Sequence, residues 1–216
     1  MKIERITVGP MQVNCYILWE DIETDKDSSQ PLQKKKAYVT DPGDEPEKIS
    51  GKLQELGLEC QAILLTHGHF DHITGVKGLK ELTGAPVYAG EAEDRLLKDA
   101  DLNVSKRIRR PVTVEADRLL KDGEIVEEAG MHFKTIFTPG HTSGSVCYYF
   151  EKEGVILTGD TLFQASYGRT DFPTGNEAAL FSSITHRLLS LPENTICYPG
   201  HGEATDIASE SRYFRD

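Results

Sequence analysis

Thr66-His67-Gly68-His69-Phe70-Asp71-His72 places three imidazoles and a carboxylate within six residues. The apolar run just before it, residues 61–65, has the length of a buried strand, so the histidines are expected directly after a strand end. Residues two apart on an extended chain point the same way, which lets His67 and His69 reach one metal ion. Asp71 and His72 come after the chain has turned away from the strand direction. Their side chains therefore diverge from those of His67 and His69, which suits a second ion. An isolated His-X-His pair is usually two surface histidines, but this longer string after a strand favours a two-ion metal site.

The composition is typical of a globular protein. The chain has 216 residues, of which 38% are hydrophobic and 27% are charged. We predict a single domain over residues 1–216, with residues 21–36 as a surface loop insertion. The amino terminus has no apolar leader, and no stretch approaches the roughly 18 apolar residues of a membrane span. We therefore predict a cytoplasmic protein without a membrane partner, and the sequence leaves the oligomeric state open.

The charge and the cysteines exclude further classes of protein. A formal net charge of −11 opposes binding to nucleic acid, which draws on clustered Lys and Arg. The basic run of residues 106–110 is interpreted as a solvated face. The four cysteines are widely scattered, and all but Cys60 lie in strand-like runs, so we interpret them as reduced core residues rather than a disulfide framework.

Hydrophobic periodicity predicts an alternation of strands and helices that changes to a series of strands in the second half. Strands are expected at residues 3–8, 13–19, 37–40, 61–65, 86–89, 124–127, 131–138, 145–150, 155–158 and 195–198. Helices are expected at residues 46–56, 73–82, 91–98 and 177–191. Residues 99–111 are polar and show no clear period. The later strands are expected to form a second sheet.

Three later turns each place a metal-capable side chain after an apolar strand. They are Thr138-Pro139-Gly140-His141, Thr158-Gly159-Asp160 and Tyr198-Pro199-Gly200-His201. A single such His or Asp is usually a turn former, but loops that follow strands can converge on one rim of a sheet or sandwich, where the three would supply further ligands. His132 and His186 lie on polar faces and are expected to face solvent.

In this order, these motifs resemble the metallo-β-lactamase superfamily. The segments 8–16, 41–43 and 168–173 resemble its type II glyoxalase-like branch. The resemblance implies an α/β fold, a four-layered αββα sandwich in which helices flank two mixed sheets. It implies a first ion on His67, His69 and His141 and a second on Asp71, His72 and His201. Asp160 would bridge the two ions and act with Asp71 as a catalytic carboxylate.

The function implied by the resemblance is hydrolysis of a small acyl thioester, such as an S-hydroxyacyl thiol, by a hydroxide bridging two divalent ions. Zinc is named first, although iron and manganese also suit His and Asp ligands. Type II glyoxalases with two domains have a helical extension after the last histidine and a Gly-Lys-Phe-Tyr-like run where this chain has Gly168-Arg169-Thr170-Asp171. We therefore expect thioester hydrolysis more strongly than specificity for glutathione as the thiol.

The loop after Asp160 is the expected substrate-binding segment. Tyr167, Arg169 and Asp171 are the candidates, and Arg169 would bind a substrate carboxylate. Alternatively, Arg169 and Asp171 pair with each other and brace the loop. Two other functions remain open: a mononuclear iron persulfide dioxygenase, which the same superfamily contains, and a metal-stabilised binding module without catalysis.

Overall fold

Two six-stranded sheets form the centre of the computed structural model, which describes residues 1–20 and 35–214. The first sheet follows chain order, with antiparallel pairing among its first three strands and parallel pairing among the rest. Its strands are β1 (Lys2–Val8), β2 (Val13–Trp19), β3 (Lys35–Thr40), β4 (Leu58–Leu65), β5 (Val87–Gly90) and β6 (Arg118–Leu120).

The second sheet is also mixed. Its strands are β7 (Ile125–Glu128), β8 (Met131–Phe137), β9 (Val146–Phe150), β10 (Val155–Gly159), β13 (Ile196–Pro199) and β14 (Thr205–Asp206). They lie in the order β14-β13-β10-β9-β8-β7, and β10 and β13 are the parallel pair. Between β10 and β13, the short strands β11 (Leu162–Phe163) and β12 (Ser166–Tyr167) form a separate hairpin.

Helices cover the outer faces of both sheets. They are α1 (Pro46–Glu55), α2 (Phe70–Ile73), α3 (Val76–Thr83), α4 (Asp94–Leu97), α5 (Glu177–Ser183) and α6 (Ile207–Phe214). A 3-10 turn at Glu91–Glu93 precedes α4, and a π-helical turn at Ile184–Leu188 continues α5. Within the described residues, no helix has the length and apolar character needed to cross a bilayer.

Three buried clusters define the layers. Tyr16, Tyr38 and Leu64 of the first sheet pack against Phe133 and Tyr148 of the second, and this cluster fills the space between the sheets. On the outer side of the first sheet, Ile49 and Leu53 of α1 and Leu79 of α3 pack against strand residues. On the outer side of the second sheet, Leu180, Ile184 and Leu188 do the same. The order helix, sheet, sheet, helix confirms the expected αββα sandwich.

Most differences from the sequence-based assignment concern short elements. Strands β6, β11, β12 and β14 have only two or three residues, too few to show a period, and were missed with helices α2 and α6. The long helix expected at 177–191 changes to π geometry at Ile184. Cys60 lies in β4 and is buried like the other three cysteines, so its exclusion from the strands was wrong. Residues 21–34 of the expected loop lie outside the described residues, and Lys35 already begins β3.

The ends of four strands are joined at one rim. The amide of Val146, at the start of β9, donates to the carbonyl of Thr66 just after β4, at 2.8 Å, and so connects the two sheets. The amide of Gly200, after β13, donates to the carbonyl of Gly159 at the end of β10, also at 2.8 Å. These bonds hold the loops after β4, β10 and β13 close together, beside the turn between β8 and β9.

Candidate metal centre

The seven candidate ligands lie together at this rim. Ligand atoms of each of three overlapping groups lie within 4.8 Å of one another. The groups are His67 with His69 and His141, His67 with His72 and Asp160, and Asp71 with His72 and His201. The first and third groups correspond to the two ligand sets that the resemblance implied. Loops that lie far apart in the sequence thus place their metal-capable atoms in one cluster.

Asp160 lies between the two sets. Its Oδ2 atom is 3.6 Å from Nε2 of His141 and 3.7 Å from Nε2 of His201. Its Oδ1 atom is 3.4 Å from Nε2 of His72. On the outer side, Nε2 of His201 is 3.4 Å from Oδ2 of Asp71. One carboxylate therefore faces a histidine of the first set and two of the second, which is the position that a bridging ligand requires.

The donor set fits divalent cations. Nδ1 of His69 lies 2.8 Å from Nε2 of His141, which lies 3.2 Å from Nε2 of His67, so imidazole nitrogens of the first set face one another. Nε2 of His72 and Oδ1 of Asp160 are buried without a hydrogen-bond partner among the described residues. Buried lone pairs that converge in this way are costly unless they bind a proton or a cation. Imidazole and carboxylate ligands suit zinc, iron and manganese.

Burial and mutual repulsion keep the first set neutral. Burial, followed by the neighbouring imidazole of His141, lowers the pKa of His69 to about 3. Burial likewise lowers the pKa values of His67 and His141. A neutral imidazole has a free lone pair for a metal ion, whereas a protonated one does not. The first set is therefore in the ligating form at neutral pH.

Asp41 orients the stretch that carries the ligands. Its carboxylate accepts hydrogen bonds from the amide and the hydroxyl of Thr66, at 2.8 and 2.6 Å, and it lies 3.1 Å from Nδ1 of His72. A carboxylate beside a ligating histidine fixes the orientation of the ring. Segment 41–43 contributed to the family resemblance, but the sequence did not indicate that Asp41 contacts Thr66 and His72.

Glu93 is a second buried carboxylate that sequence analysis missed. It accepts hydrogen bonds from the amide of Gly68, at 2.8 Å, and from the hydroxyl of Thr142, at 3.0 Å. Burial raises the pKa of Glu93 to about 7, although both of these bonds act in the opposite direction. Its bonds connect the loop of His67 and His69 with the loop of His141. Glu93 lies in a charged, helix-like segment, so no local signal distinguished it.

A glycine allows the last loop to approach the cluster. A Cβ atom at Gly200 would collide with Oδ1 of Asp160 and would lie 2.7 Å from Cε1 of His72. Only a residue without a side chain fits at this distance, and His201 follows it directly. The Pro-Gly turn thus has a steric function as well as a turn-forming one.

A cavity of about 610 Å³ opens over the cluster. His69, Asp71, His141, Asp160 and His201 lie on its wall, whereas His67 and His72 are more deeply buried. The rest of the wall is mainly apolar and contains two arginines. These residues are Met11, Phe70, Val104, Arg107, Ile108, Phe163, Arg169 and Phe172. The volume and the lining of this cavity are typical of a site that binds a small molecule.

The structure places the three expected substrate residues differently. Arg169 lines the cavity, but its Nε and Nη2 atoms donate to the two carboxylate oxygens of Asp171, each at 2.7 Å. Asp171 is exposed and lies outside the cavity wall. The ring of Tyr167 packs against Phe181 and Phe214, at centroid distances of 4.9 and 6.1 Å. Of the three, only Arg169 is brought to the cavity.

Arg107 was missed as a cavity residue, because the run from Lys106 to Arg110 was interpreted as a solvated face. Lys106 pairs with Asp101 at 2.8 Å and Arg110 with Asp44 at 3.2 Å, both at the surface. Arg107, between them, lines the cavity. Arg107 is itself exposed, as the solvated-face interpretation expected, and a segment of basic and apolar residues without a period does not show which exposed side chain also borders a cavity.

With this fold and this cluster, the chain belongs to the metallo-beta-lactamase superfamily, whose family model matches residues 8–201. It is similar to the probable metallo-hydrolase YqgX of Bacillus subtilis, with 42% identity over 97% of this chain and 94% of the relative. It is also similar to the hydroxyacylglutathione hydrolase GloC of Haemophilus influenzae, with 36% identity over 98% of this chain and 96% of that protein.

Solved structures support the same assignment. The BLEG-1 B3 metallo-beta-lactamase superposes with a TM-score of 0.89 and 38% identity, and each chain is covered completely. TTHA1623 in a di-iron-bound form superposes with a TM-score of 0.81 and 36% identity over 98% of each chain. Membership of this superfamily and the His/Asp cluster indicate a metal-dependent hydrolase with a dinuclear metal site.

Proposed function

We propose that the protein hydrolyses a small acyl thioester, of the S-hydroxyacyl thiol type, at a centre of two divalent ions. His67, His69 and His141 would hold the first ion, and Asp71, His72 and His201 the second, with Asp160 shared. The observation that carries the proposal is the position of Asp160 between two ligand sets at the floor of a cavity. Similarity to a hydroxyacylglutathione hydrolase over almost the whole chain supports the substrate type.

The bound ions would lower the pKa of a water molecule toward about 7 and polarise the substrate carbonyl. The chain contributes the arrangement around them. Neutral imidazoles of the first set present their lone pairs, and Asp41 holds Thr66 and the ring of His72 in place. The aromatic side chains of Phe70, Phe163 and Phe172 line the cavity and would exclude water from the acyl group.

The cavity wall favours a leaving group that needs no proton. Among the described residues, its ionisable members are the candidate ligands and two arginines, so none is a free general acid. A thiol has a pKa of about 8.5, so a thiolate can leave unprotonated, whereas an amide nitrogen needs a proton as its bond breaks. This difference supports a thioester over an amide substrate.

The test combines elemental analysis of protein purified without added metal with assays on three substrates. We expect two metal ions per chain, zinc first among them, and release of free thiol from an S-hydroxyacyl thiol without oxygen uptake. One iron per chain with oxygen uptake on a persulfide would contradict the proposal in favour of the dioxygenase. Faster hydrolysis of a cephalosporin than of any thioester would favour the activity named for the BLEG-1 relative.

A catalytically silent protein that still contained two metals would favour the metal-stabilised binding module. In that case the cavity would bind a hydrolysable thioester without releasing free thiol. Asp160→Asn is the matched control in each assay, because it retains the size of the side chain and removes its charge.

A further inference from the structure

The segment at residues 103–112 is anchored beside the metal cluster by polar contacts. The amide of Phe70, which follows His69, donates to the carbonyl of Asn103 at 3.0 Å. The side-chain amide of Asn103 donates to the carbonyl of Val112 at 2.8 Å, and this closes the segment into a loop. Asn103 and Ser105 have no exposed surface. Buried polar anchors of this kind hold a loop in one conformation.

The backbone at Val104 supports the same conclusion. Val104 has a φ of 69°, which is unfavourable for a β-branched residue, and its side chain is 4% exposed on the cavity wall. Such a conformation persists only where the surrounding contacts determine it. The loop therefore presents the next residues to the cavity from a fixed position.

Of the two arginines on the cavity wall, Arg107 is the one whose charge remains available. Its side chain makes no ion pair or hydrogen bond with any other part of the chain that the structure describes. The second cavity arginine differs, since Arg169 is paired with Asp171 through two bonds of 2.7 Å and lies 3.8 Å over the ring of Phe172. The charge of Arg169 is thus already balanced, and that of Arg107 is not.

We propose that Arg107 is a specificity-determining residue that binds a carboxylate carried by the substrate away from the thioester bond. This inference rests on the proposed function, because it assigns a substrate group to the same cavity. A guanidinium offers a planar fork that matches a carboxylate. The protein as a whole has a net charge of −11, and Arg107 adds positive charge on the cavity wall at a distance from the ligand cluster.

The surroundings of Arg107 favour a carboxylate over a phosphate-bearing carrier. A polyphosphate usually requires several clustered cations, whereas here Lys106 and Arg110 are paired with Asp101 and Asp44, and Arg109 lies outside the cavity wall. A volume of about 610 Å³ accommodates a peptide-sized thiol together with its acyl group. The class of substrate is therefore an acyl thioester of a small thiol that carries at least one free carboxylate.

Arg107→Gln is the test variant, and Arg109→Gln is the matched control. Arg109 belongs to the same basic run and is exposed, but it lies outside the cavity wall. The probes are an S-alkyl thioether of glutathione, which cannot be hydrolysed, and its dimethyl ester, which has no free carboxylate. Titration calorimetry with the metal-loaded protein gives the Kd of each.

We expect Arg107→Gln to weaken binding of the free acid about fivefold, the contribution of a partly exposed charge pair, and to leave binding of the dimethyl ester unchanged. Arg109→Gln should change neither, and Arg107→Lys should give an intermediate Kd. With a hydrolysable thioester of the same thiol, KM should rise with kcat unchanged. Equal weakening of acid and ester, or equal effects of both Gln variants, would overturn the proposal.

Binding and turnover separate this proposal from the proposed function. A protein that binds the free acid through Arg107 and hydrolyses no thioester would contradict the proposed function alone. A thioesterase whose KM and Kd do not respond to Arg107→Gln would contradict the Arg107 proposal alone. If Arg107→Gln weakened only the binding of a thioether of coenzyme A, the carboxylate assignment would be wrong. The group that Arg107 binds would then be a phosphate.

Discussion

The carboxylate of Glu93 accepts a 2.8 Å hydrogen bond from the amide of Gly68, the residue between His67 and His69. Its other oxygen accepts a bond of 3.0 Å from the hydroxyl of Thr142, next to His141. Glu93 is 1% exposed, so water does not replace either bond. One side chain after β5 thus connects the ligand loop of the first sheet with a ligand loop of the second.

Glu93→Ala should therefore reduce both stability and metal retention. The substitution leaves a buried amide and a buried hydroxyl without their partner, and we expect the free energy of unfolding to fall by about 3 kcal/mol. Glu93→Gln keeps one acceptor oxygen and should cost about 1 kcal/mol. Urea denaturation and metal content after dialysis are the measurements. Glu91→Ala, at an exposed position nearby, is the control, and an equal effect of the two Ala variants would contradict the bracing role.

Removal of the metals should lower the melting temperature. Without cations, Nε2 of His72 and Oδ1 of Asp160 are buried without a hydrogen-bond partner among the described residues, and Asp71 and Asp160 carry like charges in one cluster. At a free metal concentration 100 times Kd, each independent site contributes about 2.7 kcal/mol to stability. Calorimetric melts before and after chelation, with metal content verified, measure the effect. Identical melts would show that the cluster is stable without its ions.

Substitutions of Asp160 and His201 should separate the two sites. Asp160 lies near histidines of both sets, so Asp160→Asn should abolish turnover and loosen both ions. Among the candidate ligands, His201 lies beside Asp71, His72 and Asp160, so His201→Ala should lower the content of the second ion and retain the first. Metal-to-protein ratios after dialysis give the answer. Two retained ions and a near-normal rate in Asp160→Asn would exclude the shared position.

Arg169→Lys should affect charged and neutral thioesters equally. Lys can reproduce neither the two bonds to Asp171 nor the stacking on Phe172, so the loop should become less ordered for every substrate. The ratio of KM for a carboxylate-bearing thioester to KM for its ester should remain at the wild-type value. Asp171→Asn, which leaves Arg169 unpaired, is the companion variant. If Arg169→Lys raised KM only for the charged substrate, Arg169 would be assigned to substrate binding instead.

The four cysteines should be unreactive in the native protein at pH 8. Burial raises the pKa of the Cys60 thiol to about 12 and that of Cys147 to about 11, and it also raises the pKa values of Cys15 and Cys197. At pH 8 the native thiols therefore stay protonated, whereas thiols of an unfolded chain, with a pKa of about 8.5, are partly ionised. Titration with a coloured disulfide reagent should detect no thiol before denaturation and four after it. Rapid labelling of native protein would contradict the burial.

The sequence by itself indicated most of the strands and helices and the set of candidate ligands, and the sandwich was implied by the family resemblance of those motifs. Most strands and helices long enough to show a period were predicted, since periodicity is a local property of the chain, although the eight-residue helix α6 was missed. The stretch at residues 66–72 and the three later turns indicated the cluster, because each places His or Asp directly after a strand. Two-residue strands and the π turn at Ile184 were missed for the same reason, since neither leaves a recognisable pattern.

The tertiary structure alone decided which side chains face the cluster and which residues support it. Glu93 is 25 residues from Gly68 in sequence, and its bond to that amide depends on how β4 and β5 pair. Arg107 and Arg109 are alike in sequence, and only the path of an anchored loop places Arg107 on the cavity wall. Tyr167 and Asp171 were both expected near the substrate, but neither lines the cavity: Tyr167 packs against Phe181, and Asp171 pairs with Arg169. Contacts between distant segments depend on packing and leave no local pattern in either segment.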